Sequence, residues 1–157
     1  MVTNMENRFD IFEIGDLSAL ICIDVPEMQR LVIDQVTALG YKIHTGLFIE
    51  DILLKLRAHV YDVVIVTENF NATDITSNPI IAETINTASA QRRKQFVVAI
   101  GSSFVTSNEM QAFEHAVDLV VGLADAVNLR PVLRRGVARM QEFYAPFQEA
   151  LRLAGHS

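Results

Sequence analysis

The stretch VVIVTEN, residues 63–69, decides the fold of this chain. It begins with β-branched apolar residues that follow one another without a break, and such a run predicts a strand that is buried on both faces. Strands of this kind belong to parallel sheets that carry helices on both sides. The run stops at Thr67 and Glu68, so a hydroxyl and a carboxylate come directly after a buried strand. The end of this strand is therefore a candidate functional position.

Length and charge restrict the classes of protein to which the chain can belong. With 157 residues, half of them apolar, the chain is long enough for one domain with a full core and short for two. Its formal net charge of −6 gives no broad positive field for binding phosphates. We therefore expect one main domain and no nucleic-acid partner.

Cysteine content and hydropathy indicate the compartment. Cys22 is the only cysteine and stands in an apolar run, which predicts a buried thiol and no disulfide framework. The first ten residues, MVTNMENRFD, lack the basic and apolar regions of a signal peptide, and no apolar run has the length of a membrane span. We expect a cytoplasmic protein that has no membrane partner.

Short apolar runs alternate with helical periodicity along the rest of the chain, which is typical of βα units on a parallel sheet. The five predicted strands are SALICID (18–24), YKIHT (41–45), YDVVIVT (61–67), FVVAIG (96–101) and DLVVGL (118–123). Right-handed crossovers would place the intervening helices on both faces of the sheet. The prediction is an α/β, flavodoxin-like fold with a five-stranded parallel sheet and an extended C-terminal helix.

Capping signals mark the helices between these strands. The first helix has Pro26 near its start and Gly40 at its end. The third, PIIAETINTAS (79–89), follows a polar stretch, and the fourth has Thr106 and Glu109 at the spacing of a capping box. The last helix opens at Asn128.

In doubly wound sheets the functional crevice lies at the carboxyl ends of the strands. The polar residues and one glycine that this rule brings to a single edge are Asp24, Thr67, Glu68, Gly101, Ser102 and Ser103. Of these residues, Asp24, Thr67, Glu68 and Ser102 form the candidate pocket.

Three stretches carry a resemblance to a known family: ALICIDVPEMQR (19–30), YDVVIVTEN (61–69) and AVDLVVGL (116–123). Together with the order and spacing of the helices, they resemble the receiver domains of bacterial two-component response regulators. The resemblance covers Ser18 to Met140. It implies a receiver-like domain over residues 18–140, an N-terminal extension over 1–17 and a C-terminal helical extension over 141–157.

The residues that carry the chemistry of the family are missing from this sequence. Thr67 stands where the resemblance places the phosphorylated aspartate, and an acyl phosphate requires a carboxylate nucleophile. The acidic pair that would hold Mg²⁺ becomes Ile23 and Asp24. Gly122 and Leu123 replace the lysine and proline that follow the fifth strand.

The two switch positions of the family also differ. The hydroxyl of the fourth strand falls on Gly101, with Ser102 one residue further on, and the aromatic residue of the fifth strand falls on Leu119. The resemblance therefore implies a degenerate receiver that is not an enzyme and has no cofactor.

Each pocket residue also has an alternative interpretation. Glu68 could act as a phosphoryl acceptor or as a permanent negative charge, whereas strand alternation favours a solvated loop glutamate. Asp24 could bind a metal, although a carboxylate that bonds backbone amides at a helix start is the more common case. The Gly101-Ser102-Ser103 turn could hold an anion against its amides or be an ordinary turn.

Histidines give no support for a metal or catalytic site. They fall in separate predicted elements without ligand spacing, at His44, His59, His115 and His156.

The C-terminal helix provides the candidate partner surface. It is amphipathic, with arginines on one side and apolar residues on another. The partner-surface residues are Arg130, Arg134, Phe143, Tyr144 and Phe147. An unbroken helix from Leu129 to Leu153 would overhang the sheet, although Pro146 could split it. Its apolar patch needs a cover, which could be the N-terminal segment around Phe9 and Phe12 or a second protein, most simply another copy of the chain.

Taken together, these features predict a non-phosphorylatable receiver-like domain that acts as a protein-interaction module in bacterial signalling. The alternative is an atypical phosphorylated switch, or a binder of small anionic ligands, that uses Asp24, Glu68 and Ser102.

Overall fold

The computed structural model describes residues 8–46, 48–70, 78–85 and 95–155, and in the last helix every side chain except those of Tyr144, Phe147 and Gln148. The strands are β1 (Ser18–Cys22), β2 (Lys42–Thr45), β3 (Val63–Thr67), β4 (Phe96–Gly101) and β5 (Leu119–Gly122). They form one sheet in the order β2-β1-β3-β4-β5, and every pair is parallel. The predicted flavodoxin-like sheet is therefore confirmed.

Helices connect the consecutive strands, and a 3₁₀ helix and the last helix follow β5. They are α1 (Pro26–Ala38), α2 (Ile49–Ala58), α3 (Pro79–Ile85), α4 (Glu109–Glu114), a 3₁₀ helix (Leu123–Asn128) and α5 (Leu129–Leu153). The predicted end of the third helix, residues 86–89, lies outside the described part of the chain. Pro26 stands in the first turn of α1, and Gly40 follows the helix with φ of 97°, a value that favours glycine.

The core consists of two apolar clusters, one on each face of the sheet. Alternate residues of β1 belong to different clusters, with Ala19 and Ile21 in one and Leu20 and Cys22 in the other. The first cluster includes residues of α1 and α5, and the second includes residues of α2, α3 and α4. Cys22 is fully buried, and burial raises the pKa of its thiol far above the ordinary value.

The N-terminal cap of α4 differs from the prediction. The Oδ1 atom of Asn108 accepts a hydrogen bond from the backbone N–H of Gln111 at 2.9 Å, so Asn108 is the cap residue. The prediction of a capping box formed by Thr106 and Glu109 was therefore wrong, because the Thr106 hydroxyl makes other hydrogen bonds. It donates to Asp125 and accepts from the N–H of Gly122.

The helix α5 runs without interruption through Pro146, as one helix of 25 residues. Its first half is anchored in the core, where Leu129 and Leu133 are buried and Met140 packs against the same cluster. Beyond Met140 every described side chain is exposed. At 1.5 Å per residue, the helix continues for about 20 Å past its last core contact.

Residues 8–12, here called the N-terminal strap, lie along the outer edge of β2. Phe9 forms an antiparallel bridge with His44, the N–H of Thr45 donates to the carbonyl of Arg8 at 2.9 Å, and Asp10 N–H donates to Ile43 at 3.2 Å. Phe12 packs against the cluster on the α2 face, whereas α5 lies on the other face. The strap, one of the two predicted covers for the C-terminal patch, therefore lies on the other face of the sheet, and the second cover, another protein, stays a prediction.

The helices in the described part of the chain include none that combines the length and apolar character of a membrane span.

Candidate functional site

Strand register brings the candidate pocket residues to one edge of the sheet. Thr67 is paired with Ile100, and Gly101 is paired with Gly122. The cleft at this edge is lined by Thr67, Glu68 and Ser102, together with apolar side chains such as Met28 and Leu123. Asp24 lies at the same edge, two residues after the end of β1.

Thr67, at the predicted acceptor position, has an inert environment. Thr67 is 6% exposed, and its Oγ1 atom has no hydrogen-bond partner among the described residues. A threonine hydroxyl becomes a nucleophile only when a neighbouring base removes its proton. The described surroundings provide no such base within hydrogen-bond reach.

Both the backbone N–H and the side chain of Glu68 are hydrogen-bonded to other residues of the protein. Its N–H donates to the carbonyl of Ile100 at 2.8 Å and so extends the pairing of β3 with β4. Its carboxylate accepts two hydrogen bonds from Ser103, one from the backbone N–H at 3.0 Å and one from the hydroxyl at 2.5 Å. The expected solvated loop glutamate is thus replaced by a carboxylate that ties the end of β3 to the segment after β4.

Two glycines, Gly101 and Gly122, stand at positions of this edge where neighbouring atoms approach the backbone closely. A Cβ atom on Gly101 would overlap the side chain of Glu68. A Cβ atom on Gly122 would lie 3.0 Å from the carbonyl oxygen of Phe104, which is closer than side chains ordinarily approach backbone. A side chain at position 122, to which the resemblance assigns the lysine, would therefore require the segment around Phe104 to shift by a few tenths of an ångström.

The loop between β4 and α4 is fastened at both ends by side chains. The amide of Gln111 donates to the carbonyl of Ser103 at 3.0 Å and accepts from the N–H of Val105 at 2.7 Å. Thr106 bridges the loop to Asp125 and Gly122, as described above. Sequence reasoning missed these contacts because Gln111 carries no local pattern and the spacing of Thr106 and Glu109 indicated a capping box instead.

Comparison with known proteins gives a likeness in structure alone, since no family model and no curated protein matches the sequence. One similar structure is the receiver domain of the sensor histidine kinase PA1611 from Pseudomonas aeruginosa PAO1, with a magnesium ion coordinated in its active-site cleft. Its TM-score is 0.60 at 14% identity, and the match covers 79% of this chain and 99% of that one. The chain has the receiver fold.

A second receiver-fold match is a putative response regulator from Chloroflexus aurantiacus J-10-fl. Its TM-score is 0.62 at 12% identity, and the match again covers 79% of this chain and 99% of the other. Identities this low show the fold and leave the activity to be argued from the residues.

The magnesium site that a receiver fold suggests does not fit the residues present here. The described residues contain no group of three or more His, Cys, Asp or Glu side chains placed to hold a metal ion. In the cleft itself, both carboxylate oxygens of Glu68 are already occupied by Ser103. Mg²⁺ prefers near-octahedral oxygen coordination, which this donor set does not supply.

The predicted partner surface lies on the opposite side of the receiver fold from the strap. A groove between α4, β5 and α5 is lined by Glu109, Arg135, Arg139 and Phe143, among others. Arg139 pairs with Glu109 at 2.9 Å, and Phe143 is 76% exposed. The helix α5 therefore presents an aromatic ring next to arginines.

The remaining partner-surface residues are spread along α5. Arg130 and Arg134 are exposed on its first two turns, where the side-chain carbonyl of Gln35 accepts from the N–H of Arg130 at 2.9 Å. Gln35 also donates to the carbonyl of Ala126 and so ties α1 to the start of α5. Tyr144 and Phe147 belong to the protruding half of the helix.

Proposed function

We propose that this chain is a receiver-fold protein-interaction module in bacterial cytoplasmic signalling, and that it carries out no phosphoryl transfer. One observation carries the proposal: the acceptor position holds Thr67, whose hydroxyl is buried without a partner among the described residues. A phosphoryl group cannot be taken up there by the usual attack of a carboxylate.

The contact between Glu68 and Ser103 supports the same proposal. A carboxylate of the chain itself already accepts the hydrogen bonds that the backbone N–H and the hydroxyl of Ser103 donate. Since charge-assisted bonds are stronger than neutral ones, this loop is held in place without an added anion. The described lining of the cleft includes no lysine or arginine, which disfavours the anionic-ligand alternative with Asp24 and Ser102.

The groove beside α5 supports the interaction part of the proposal. Aromatic and arginine side chains are enriched where proteins bind proteins, and Phe143 stands beside Arg135 and Arg139. The loop before α4 already bonds the outer edge of β5, because Ser107 N–H donates to the carbonyl of Val120 at 2.9 Å. A partner would therefore contact side chains of the groove and of α5, and a second copy of the chain is the simplest such partner.

The phosphotransfer part is tested by intact mass after incubation with Mg²⁺ and acetyl phosphate. We expect no mass increase in the native chain, while a functional receiver domain run in parallel gains a phosphoryl group. The variants Glu68→Gln and Asp24→Asn serve to locate any modification. A phosphorylated native chain whose modification disappears in either variant would overturn the proposal and establish the atypical switch.

A further inference from the structure

The imidazole of His44 is a buried titratable group that the proposed function does not use. His44 is 5% exposed and lies in β2, directly opposite Phe9 of the N-terminal strap. Both of its ring nitrogens are hydrogen-bonded: Nδ1 lies 2.6 Å from the hydroxyl oxygen of Tyr61, and Nε2 lies 3.1 Å from the carbonyl oxygen of Asp10. The ring thus joins the strap to the core.

These partners determine the protonation state of the ring. A backbone carbonyl only accepts hydrogen bonds, so Nε2 must carry a hydrogen and donate to Asp10. In the neutral ring Nδ1 is then the acceptor, and the Tyr61 hydroxyl donates to it. A second proton on Nδ1 would reverse this bond: the Tyr61 oxygen would accept from Nδ1, and the Tyr61 hydroxyl hydrogen, which is fully buried, would lose its present acceptor.

The strap also packs its aromatic rings on the imidazole. Phe9 stacks at 3.9 Å between ring centroids with an interplanar angle of 14°, and Phe12 stacks at 4.1 Å and 12°. Two rings that each stack this closely on one small ring cannot share a face, so His44 lies between them. The strap therefore closes over the imidazole and shields it from water.

Charged groups from each neighbouring element face this site. The strap contributes Arg8 and Asp10, which form an ion pair at 3.4 Å. The helix α2 contributes Asp51 and Lys55, paired at 2.7 Å, and the segment before β3 contributes His59. Burial lowers the pKa of His44 below its ordinary value, and the charges of His59 and Lys55 lower it further, against opposing effects of Asp10.

We propose that the N-terminal strap is a pH-sensitive latch: protonation of His44 opens it and uncovers the outer edge of β2. The groups uncovered are the backbone N–H of Ile43, which donates to the Asp10 carboxylate at 2.8 Å, and that of Thr45. Opening removes the strap from a sheet edge and leaves β3, β4 and β5 paired.

The direction of the effect follows from proton linkage. The ordinary pKa of 6.5 applies to the open latch, and the closed latch holds the pKa of His44 below it. The closed state is therefore fully favoured above pH 6.5 and loses stability as the pH falls below that value. Between the two pKa values the opening constant rises about tenfold for each pH unit. Burial raises the pKa of Asp10, but the hydrogen bond from the Ile43 N–H and the Arg8 guanidinium lower it more, so this pKa lies below its ordinary value of 3.8 and Asp10 is ionised at pH 6.5.

Amide hydrogen exchange of the full chain, followed by NMR, tests the latch. The protection factors of Ile43 and Thr45, corrected for the intrinsic pH dependence of exchange, are compared at pH values above and below 6.5. We expect them to fall by up to about tenfold for each pH unit below 6.5, while the amide of Val98 in the sheet centre keeps its protection.

Two histidine variants separate the latch from a general acid effect. In His44→Gln the pH dependence of both amides should disappear, even if the latch of that variant is looser at every pH. In His115→Gln, which alters the end of α4, the pH dependence should be retained. Imidazole NMR titration of the native chain gives a readout that needs no variant, because His44 must be neutral with hydrogen on Nε2 at high pH and titrate below 6.5. Protection that is independent of pH, or the same pH response in His44→Gln, would overturn the proposal.

Discussion

At the scale of single residues, two buried threonines differ in whether their side-chain hydroxyl is hydrogen-bonded. Thr67 at the end of β3 has no partner for its Oγ1 atom among the described residues, whereas Thr84 in α3 donates to the carbonyl of Ile81 at 2.7 Å. A buried polar group costs free energy unless it is hydrogen-bonded. Among the described residues, the hydroxyl of Thr67 is therefore a buried polar atom without compensation.

Replacement of Thr67 by valine should not weaken the protein. We expect Thr67→Val to raise the free energy of unfolding by about 1 kcal/mol, because it removes a buried, unsatisfied hydroxyl. The matched variant Thr84→Val should lower it by about 1 kcal/mol, because it removes a satisfied one. Urea unfolding of both variants measures the difference. A loss of stability in Thr67→Val would mean that the Thr67 hydroxyl does have a partner.

At the scale of elements, the strands could be predicted and several of their connections could not. Uninterrupted β-branched runs such as 63–66 have few alternatives to a buried strand, so all five strands were found in the sequence. The strap was missed because its pairing with β2 joins polar and aromatic residues more than thirty positions apart, and no periodicity reports such a contact. For the same reason the bond between Glu68 and Ser103 had no sequence signal.

The cap of α4 offers a direct test at this scale. Asn108 and Asn128 both occupy N-cap positions, but only Asn108 makes a side-chain bond to its helix. We expect Asn108→Ala to cost about 1 kcal/mol of unfolding free energy and Asn128→Ala to cost much less. Thermal unfolding followed by circular dichroism compares the two. Equal effects would show that the bond to Gln111 contributes nothing.

At the scale of the whole molecule, α5 belongs to the domain along only half of its length. Leu133 is buried among core residues, and the described side chains beyond Met140 are exposed. Isolated helical segments of this length are marginal in water unless they pack against something. The protruding half is therefore the part of the molecule that a partner would stabilise most.

Truncation separates folding from assembly. We expect a chain that ends at Gln141 to keep its fold and most of its stability, whereas Leu133→Ala in the full chain should cost about 2–5 kcal/mol. Light scattering of the full and truncated chains measures assembly. If α5 forms a dimer, the dimer should dissociate on truncation. Truncation that unfolds the domain, or that leaves an assembled dimer intact, would contradict this division.

The two edges of the sheet are both closed by the chain itself, and this has a consequence for solubility at low pH. The strap bonds the outer groups of β2, and the loop before α4 bonds those of β5 through Ser107 and Thr106. An open edge strand is a template on which other chains can add strands and aggregate. In the proposed latch the strap on the β2 edge is released by protonation of His44, whereas Ser107 and the Thr106 hydroxyl bond the β5 edge without a histidine, so mild acid would remove the protection from one edge alone. Aggregates that form under those conditions should grow from β2, and ionic strength or a bound partner at α5 should have little influence on where they start.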